Sequence, residues 1–428
     1  VRLAEADTIF ALASGAGRAA VAVLRLSGTD SARILAAIGG RVPAPRRASL
    51  RRLRGADGQA LDRALVLWLP GPASYTGEDS AELHLHGGRA VVDAVADALA
   101  GLGARPAEPG EFTRRAFLNG RMDLTEAEGI ADLIEAETEA QRRQALRQTE
   151  GALARLLQAW AGRLRLLLAE QEALIDFPDE DLPPDVEARV LAEIAALEAD
   201  MTAQLGAGRH GERLREGLVF VVAGAPNVGK SSLVNALAAR DVAIVSPLPG
   251  TTRDALEARV VLGGVPVTLV DTAGLREAGD AIEAEGIRRA RRRAAEADLV
   301  LTVIAAGEPA PPAALLVANK TDLGGAVPPG AIGVSAATGA GLDALRDALA
   351  DRARALTERE GPPPLTRARH RAALTAAAER LRGALEAAYP ELRAEDLRLA
   401  LRAVGRITGH VGVEDILDTL FSQFCIGK

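Results

Sequence analysis

The segment Gly224-Ala225-Pro226-Asn227-Val228-Gly229-Lys230-Ser231 has the residue types and spacing to hold a polyphosphate. Its glycines let successive backbone N–H groups turn toward phosphate oxygens at a helix N-terminus. Lys230 is placed to reach the β- and γ-phosphates and the Ser231 hydroxyl to ligate Mg²⁺; Asn227, Val228, Gly229 and Ser232 complete the phosphate-facing run. Further along, Gly250-Thr251-Thr252-Arg253-Asp254 offers Thr252 as a second metal ligand once a γ-phosphate is present. In Asp271-Thr272-Ala273-Gly274, Asp271 would hold the metal through water and the Gly274 N–H would face the γ-phosphate. Asn319-Lys320-Thr321-Asp322 reads the base. The two acceptor oxygens of Asp322 match the N1–H and 2-amino donors of guanine, a pair that adenine lacks. The Lys320 stem can lie over that base, and Ser335-Ala336-Ala337 closes its pocket. The nucleotide selected is GTP, with GDP as product.

These motifs need strands to deliver them. Residues 218–223 (LVFVVA) read as a buried parallel strand running into the phosphate loop, and 231–237 continue as a helix. Residues 265–270 (VPVTLV), 299–304 and 314–318 read as further strands. Ordered motifs on an alternating β/α chain, spanning 224–338, describe a P-loop GTPase domain of Ras-like α/β fold. Small regulatory GTPases commonly carry glutamine after Asp-x-x-Gly to orient water, but here that position is Leu275. Glu283 is the candidate water-positioning group, with a solvated helix glutamate as the other reading. Arg276 and Arg253 are candidates for a transition-state cation, or simply partners of solvent and switch-loop carboxylates. The Asn227 side-chain oxygen can help bind K⁺, whose charge would replace that of an arginine finger.

The flanks differ from this core. Leu153, Leu156, Leu157, Trp160, Leu164, Leu167 and Leu168 recur at helical spacing, as do Val186, Val190, Ile194, Leu197, Met201 and Leu205. After Gly361-Pro362-Pro363-Pro364 the chain again reads as helix. A GTPase between two helical stretches suggests an insertion, the stretches packing as one all-α domain. Short apolar runs at 20–26, 64–69 and 81–85, with a helix-like run near 88–102, make the first 120 residues a small α+β domain. Its polar islands at 74–79, 84–88 and 109–112 read as turn chemistry from spacing alone. The expected fold is thus multidomain, α/β and α. Its boundaries fall at 1–120, 121–213 (helical, first part), 214–357 (inserted GTPase) and 358–428 (helical, second part).

Composition sets limits on function. The 428 residues are 48% hydrophobic and 25% charged with net charge −7, which is globular, multidomain and unlike a general polyanion binder. No apolar run approaches membrane-span length, and a lone cysteine fits a reducing cytoplasm. Only three of 51 basic residues are lysines, Lys230, Lys320 and Lys428, and asparagine occurs only at 119, 227, 235 and 319. A lysine that persists against such a bias is either one that a planar guanidinium cannot replace or a chance survivor among three. Two of the three lie in the nucleotide motifs, which directs suspicion to Lys428.

The chain resembles, across essentially its whole length, the MnmE (TrmE) family of tRNA uridine-modification GTPases. The carrying residues are Asp7-Thr8-Ile9, Gly17-Arg18, Leu24-Arg25-Leu26-Ser27-Gly28, SYTGED at 74–79, HGG at 86–88, PGEFTRRAFLNGRMDLTEAE at 109–128 and CIGK at 425–428. The resemblance implies an N-terminal folate-binding and dimerisation domain, a helical domain, an inserted G domain and a constitutive homodimer. It implies a partner flavoprotein, MnmG, carrying FAD, and a tRNA substrate with no membrane involved. The product implied is an aminomethyl-type group, such as carboxymethylaminomethyl, on C5 of the wobble uridine. A 5-formyltetrahydrofolate-type folate would supply the one-carbon unit. Its contacts would fall on Arg25, Glu82, Arg121 and Lys428; Arg121 stands where relatives can have lysine. K⁺ would be held by Asn227, Thr251 and backbone oxygens near Ser246 and Leu248, and Glu283 matches the family's water-positioning glutamate. The 17–20 segment and Leu85 depart from the commoner glycine-rich versions.

Cys425 has two readings: a thiolate attacking the uridine ring, or a small apolar residue shaping the folate pocket. The basic run 288–293 reads as a solvated helix face in preference to a tRNA contact. The competing functional readings are a regulatory GTPase of ribosome-assembly type without modification chemistry, and a mechanical membrane GTPase. The second would want a basic amphipathic helix or lipid anchor, and neither is present in the sequence.

Overall fold

The computed structural model describes residues 7–15, 17–176, 186–240, 257–271, 297–357, 363–411, 414–422, 424 and 427. Their contacts divide the chain into two compact units, Val1–Ala131 with Val404–Lys428, and Asp132–Ala403.

The first unit is built on a six-stranded sheet of order β3-β4-β5-β2-β1-β6. The strands are β1 (Ile9–Leu12), β2 (Val21–Ser27), β3 (Ser49–Arg54), β4 (Ala60–Leu69), β5 (Ser80–His86) and β6 (Arg105–Pro106). Neighbours are antiparallel except the β1/β6 pair. Period-2 alternation decides the faces. Leu24 and Leu26 of β2, Leu83 and Leu85 of β5, and Val66 and Trp68 of β4 are buried with Ile34 and Ile38 of α1 (Ser31–Gly39) and Val95 and Leu99 of α2 (Arg89–Gly101). The intervening residues, Arg25, Glu82 and His84 among them, therefore point to the opposite face. Over β1 that face is covered by α3 (Glu111–Leu118), whose Phe112 packs with Ile9, Ala11 and Tyr75. Gly110, which precedes α3, has φ 68°, and a Cβ there would lie 2.6 Å from the Phe421 carbonyl oxygen. Only glycine permits that approach. Leu124 and Ala127 of α4 (Leu124–Glu135) then bury with Leu417, Leu420, Phe421 and Phe424 from the C-terminal end.

The second unit combines helices with a six-stranded sheet of order β12-β11-β10-β7-β9-β8. The helices α5 (Glu139–Thr149), α6 (Ala152–Asp176), α7 (Val186–Gly206) and α8 (His210–Glu216) precede the sheet. Its strands are β7 (Leu218–Gly224), β8 (Glu257–Leu262), β9 (Val265–Asp271), β10 (Leu299–Ala305), β11 (Leu315–Asn319) and β12 (Ile332–Gly333). All neighbours are parallel except β8, which runs antiparallel at one edge. Helices α9 (Lys230–Arg240) and α10 (Leu342–Thr357) bury Leu233, Leu237, Leu345 and Leu349 in the sheet core. Helix α11 (Ala368–Glu386) packs along α7, and Arg393 of α12 (Pro390–Thr408) donates to Gln171 and Glu187.

The α/β, all-α and α+β parts expected from the sequence are thus present. Strands β1, β3, β6, β8 and β12 and helices α1 and α10 went unread. Strand β3 (SLRRLR) lies at an edge and carries little apolar alternation, so its strand state follows from pairing with β4. The island at 109–112, read as a turn, instead opens helix α3. Helix α13 (Glu414–Ser422) is the last described helix.

Candidate functional site

Every motif of the nucleotide site that the structure describes lies at the C-terminal end of a parallel strand. Strand β7 ends at Gly224, which has φ 156° and whose added Cβ would meet the Val303 carbonyl oxygen at 2.2 Å. Asn227 sits in the left-handed region at φ 63° and Gly229 at φ 92°, bending the loop around a concave run of N–H groups. Lys230 is 5% exposed, and its ammonium donates to the Gly224 and Ala225 carbonyls at 3.1 and 2.8 Å, inside that curve. The Ser231 hydroxyl donates directly to Asp271 Oδ2, so two residues 40 positions apart meet where the metal is expected. A hydroxyl and a carboxylate oxygen are a hard-cation donor set, and they fit Mg²⁺.

Asn319 does more than line the base pocket. It is 2% exposed, its Nδ2 donates to Val228 O at 2.9 Å and Gly229 O at 3.4 Å, and its Oδ1 accepts from the Ala336 N–H at 3.1 Å. One side chain therefore ties the phosphate loop to the segment that closes the base pocket. Lys320, itself in the left-handed region at φ 65°, stretches across the loop and donates to Asn227 O at 2.6 Å. The buried Ser335 hydroxyl donates to Asp322 Oδ1 at 2.6 Å and accepts from the Thr338 N–H, which orients the carboxylate expected to read guanine. Ala336 is half-buried, whereas Ala337 is exposed.

A second constellation occupies the first unit. Arg25 and Glu82 face each other across β2 and β5, and Arg25 Nη2 donates to Glu82 Oε1 at 3.0 Å. The guanidinium also lies 5.4 Å from the Tyr75 ring centroid and 5.8 Å from that of Phe112, and its Nη1 donates to Gly427 O. Arg25 thus meets the residue next to Lys428. Burial pushes the Tyr75 hydroxyl above its ordinary pKa, only partly offset by its hydrogen bond with Thr113 and by Arg25. Arg121 is exposed and its stem lies beside Gly77, within the 74–79 island.

Behind this face is a network that sequence reasoning missed. Arg115, 4% exposed, donates to Asp7 and Glu111 at 2.6 and 2.9 Å and to Glu78 at 3.3 Å, while Arg105 donates to Asp7 and Glu111. Burial pushes the Glu111 carboxyl up, but hydrogen bonds from Arg105, the Glu108 N–H and Arg115 hold it below the usual carboxylate range. Asp7 behaves likewise, burial being outweighed by Arg105 and Arg115. Ser27, Thr76, Ser80 and Glu78 extend the network through hydroxyl groups. The sequence signal was the density of charged residues in 105–115, read only as part of a family segment. Ser246, Leu248, Thr251, Thr252, Arg253, Gly274, Arg276, Glu283, Cys425, Lys428 and the 288–293 run lie outside the described residues.

Residues 8–121 match a family model described as GTP-binding protein TrmE N-terminus, and 124–425 match one described as MnmE helical domain. A protein of Gluconacetobacter diazotrophicus named tRNA modification GTPase MnmE is 64% identical over 430 residues, covering 98% of both chains. Proteins of the same name from Acidiphilium cryptum and Granulibacter bethesdensis are 58% and 55% identical, covering 100% and 99% of both chains. Among solved structures, the FeoB G-domain from Methanococcus jannaschii is 24% identical and covers 32% of this chain and 98% of its own, at a TM-score of 0.23.

Proposed function

The chain belongs to the MnmE family of tRNA modification GTPases, and from that premise we propose a mechanism in which GTP hydrolysis serves wobble-uridine modification. The observation that carries the nucleotide reading is the convergence of Lys230, Ser231, Asp271, Asn319, Lys320 and Asp322 at the ends of β7, β9 and β11. Lys230 exchanges its loop carbonyls for β- and γ-phosphate oxygens and stabilises the charge that develops there. Ser231 and Thr252 would hold Mg²⁺ directly and Asp271 through water, and the ion would supply further charge neutralisation on the phosphates. Asp322 accepts from guanine while Ser335 fixes its plane. Glu283 orients the attacking water. The water oxygen bonds to the γ-phosphorus as the bond to the β–γ bridging oxygen breaks, and its proton passes to the released phosphate, leaving GDP and phosphate. Asn227, with Thr251 and oxygens near Ser246 and Leu248, would hold K⁺, whose charge would act beside the phosphates.

The modification half places a formyl-folate against Arg25, Glu82, Arg121 and Lys428. The pairing of Arg25 with Glu82 over the Tyr75 and Phe112 rings supports it, because such a surface offers an acceptor, a cation and apolar stacking together. The chain works as a homodimer joined by residues 1–120, with Val21, half-exposed on β2 away from the β3 edge, as apolar surface for it to cover. It acts with MnmG, the bearer of FAD, on C5 of the wobble uridine of certain tRNAs. Cys425 lines the folate pocket on this reading. The GTPase stretch 214–357 is inserted between helical parts 121–213 and 358–428, supported by the packing of α11 on α7. The site of action is cytoplasmic; among the described residues no helix is long and apolar enough to cross a membrane.

The test is nucleoside mass spectrometry of tRNA from the source organism with this gene deleted. Loss of aminomethyl-type groups from the wobble uridine is expected, restored by the wild type and not by Lys230→Ala. An unchanged wobble uridine, in a strain without a second copy, would leave a GTPase without modification chemistry.

A further inference from the structure

Between Asp30 and Asp57 the chain carries seven arginines and no acidic residue. Arg33 pairs with Asp30. The other six, Arg41, Arg46, Arg47, Arg51, Arg52 and Arg54, fall in the loop before β3 and along β3 itself, the edge strand of the first sheet. All but Arg51 are exposed, and among the described residues none of the six has an ion-pair partner. In a chain of net charge −7 this is a local reversal of sign.

The sheet bears a cost for it. Arg52 stands directly opposite Arg63 of β4, and like charges so placed are destabilising. The nearby carboxylates do not relieve them. Asp62 accepts from the His86 N–H and Nδ1 at 2.9 and 2.7 Å and from the Arg63 N–H at 2.6 Å, and Asp57 accepts from the Gln59 N–H. Arg46 and Arg54 donate only to backbone carbonyls, of Ala73 and Gly58. The positive field is left facing outward. Protection of an edge strand from pairing is served by a charge or two on the strand; it does not call for an acid-free run extending into the preceding loop.

We propose that β3 and the loop before it form the phosphate-backbone contact for tRNA, a proposal that rests on the tRNA reading above. Arginine is the residue suited to phosphate, through its planar fork of donors, and rows of such contacts position RNA without reading sequence. A docking surface for an acidic protein would want a desolvated apolar or aromatic centre. In 41–54 the one large apolar side chain that stands exposed is Leu50, and the stretch holds no aromatic residue.

The experiment is filter binding of a wobble-uridine tRNA transcript to the full-length chain, from about 50 to about 200 mM salt. The wild type is compared with Arg41→Gln/Arg47→Gln/Arg52→Gln and with the same three changed to lysine. The glutamine triple is expected to lower the slope of log affinity against log salt by about 2–3, so its deficit shrinks roughly 20- to 40-fold across that range. The lysine triple keeps the charge and should keep the slope. GTP hydrolysis should be unchanged in both. Normal tRNA binding with an unaltered slope in the glutamine triple overturns the contact, as does a lysine triple that loses the slope equally. A deficit seen for polyglutamate and not for tRNA assigns the face to an acidic protein instead. A wild type that hydrolyses GTP but binds no tRNA removes the tRNA reading along with the contact.

Discussion

Replacing Asn319 by alanine tests the claim that one side chain holds the phosphate loop and the base-pocket segment together. The substitution strips the Val228 carbonyl of its 2.9 Å donor and the Ala336 N–H of its 3.1 Å acceptor. Val228 is 2% exposed, so water cannot replace the lost donor there, whereas Ala336 is only half-buried. An orphaned buried polar group costs about 1–3 kcal/mol, and taking the lower end for Ala336 gives a total of about 2–4 kcal/mol. That cost must appear somewhere. If the loop relaxes in the free protein and is re-formed by nucleotide, GDP affinity falls roughly 30- to 700-fold. If it cannot relax, affinity holds and stability falls by the same amount. Titration with a fluorescent GDP analogue and denaturant unfolding of the same preparation read both shares. Asn319→Asp is the control: it keeps the acceptor for Ala336 but turns an oxygen toward the Val228 and Gly229 carbonyls, so an isosteric change should be at least as damaging. A combined effect below about 1 kcal/mol for alanine would refute the tie.

Gly229→Ala should cost nucleotide affinity about 5- to 150-fold, because φ is 92° and a Cβ would lie 2.4 Å from Asn319 Nδ2; the same GDP titration measures it. Arg115→Met should destabilise the first unit by about 3–5 kcal/mol, since it leaves Asp7, Glu78 and Glu111 short of their buried cation. Trp68 fluorescence in a Trp160→Phe background isolates that unit's unfolding. The depressed Asp7 and Glu111 carboxyls fix the sign of the pH dependence. Their stabilisation is fully present above the ordinary carboxylate range and is lost as pH falls through their lowered native values. With Arg115 gone the native carboxyls lose part of their depression, so the acid-side loss of stability that they cause should shrink in the same fluorescence assay. Glu212→Gln should leave GDP affinity within about twofold while lowering restoration of the wobble modification, as its ion pairs lie away from the nucleotide motifs.

Much of the nucleotide site was legible because its chemistry is local. A phosphate loop is one contiguous segment, and Asp271 and Asn319 each end an apolar run whose strand nature shows in sequence. The bias against lysine and asparagine sharpened this. The side chains of Lys230, Lys320 and Asn319 engage the phosphate loop, Asn227 contributes its backbone carbonyl, and Asn119 donates to Thr76 O at 2.8 Å, holding the 74–79 island. What stayed hidden depends on pairing at long range. Glu111 meets Arg115 at i,i+4 within α3, but nothing in Arg115 foretells that Asp7 and Glu78 converge on it too, because strand pairing brings those loops together. Strand β8 (EARVVL) lies at an edge beside β9, where half-exposed positions blur the apolar pattern. Glu82 was placed by family resemblance alone; its standing opposite Arg25 is a fact of register.

The way the GTPase sheet joins its helices shows how a nucleotide-dependent change can leave the site. The chain enters through α8 and leaves after α10, and the two passages are bound to one another. His210 Nδ1 is hydrogen-bonded to Leu356 O at 2.9 Å, Arg215 Nε donates to Thr366 O at 2.9 Å and Gln204 Nε2 to Pro363 O at 2.7 Å. Glu212, 1% exposed, accepts from Arg209 on the entering side and from Arg371 of α11 on the leaving side. Its neighbour Arg213 donates to Asp298, which in turn accepts from the Val219 N–H of β7, the strand that ends in the phosphate loop. A single flexible linker would let the sheet reorient without effect on the helices. Two passages fastened to each other, and fastened by Arg213 to β7, instead make any displacement of β7 or β10 a displacement of α8 and α11 together. Motion so constrained is carried by discrete rearrangement of packed elements rather than by gradual bending.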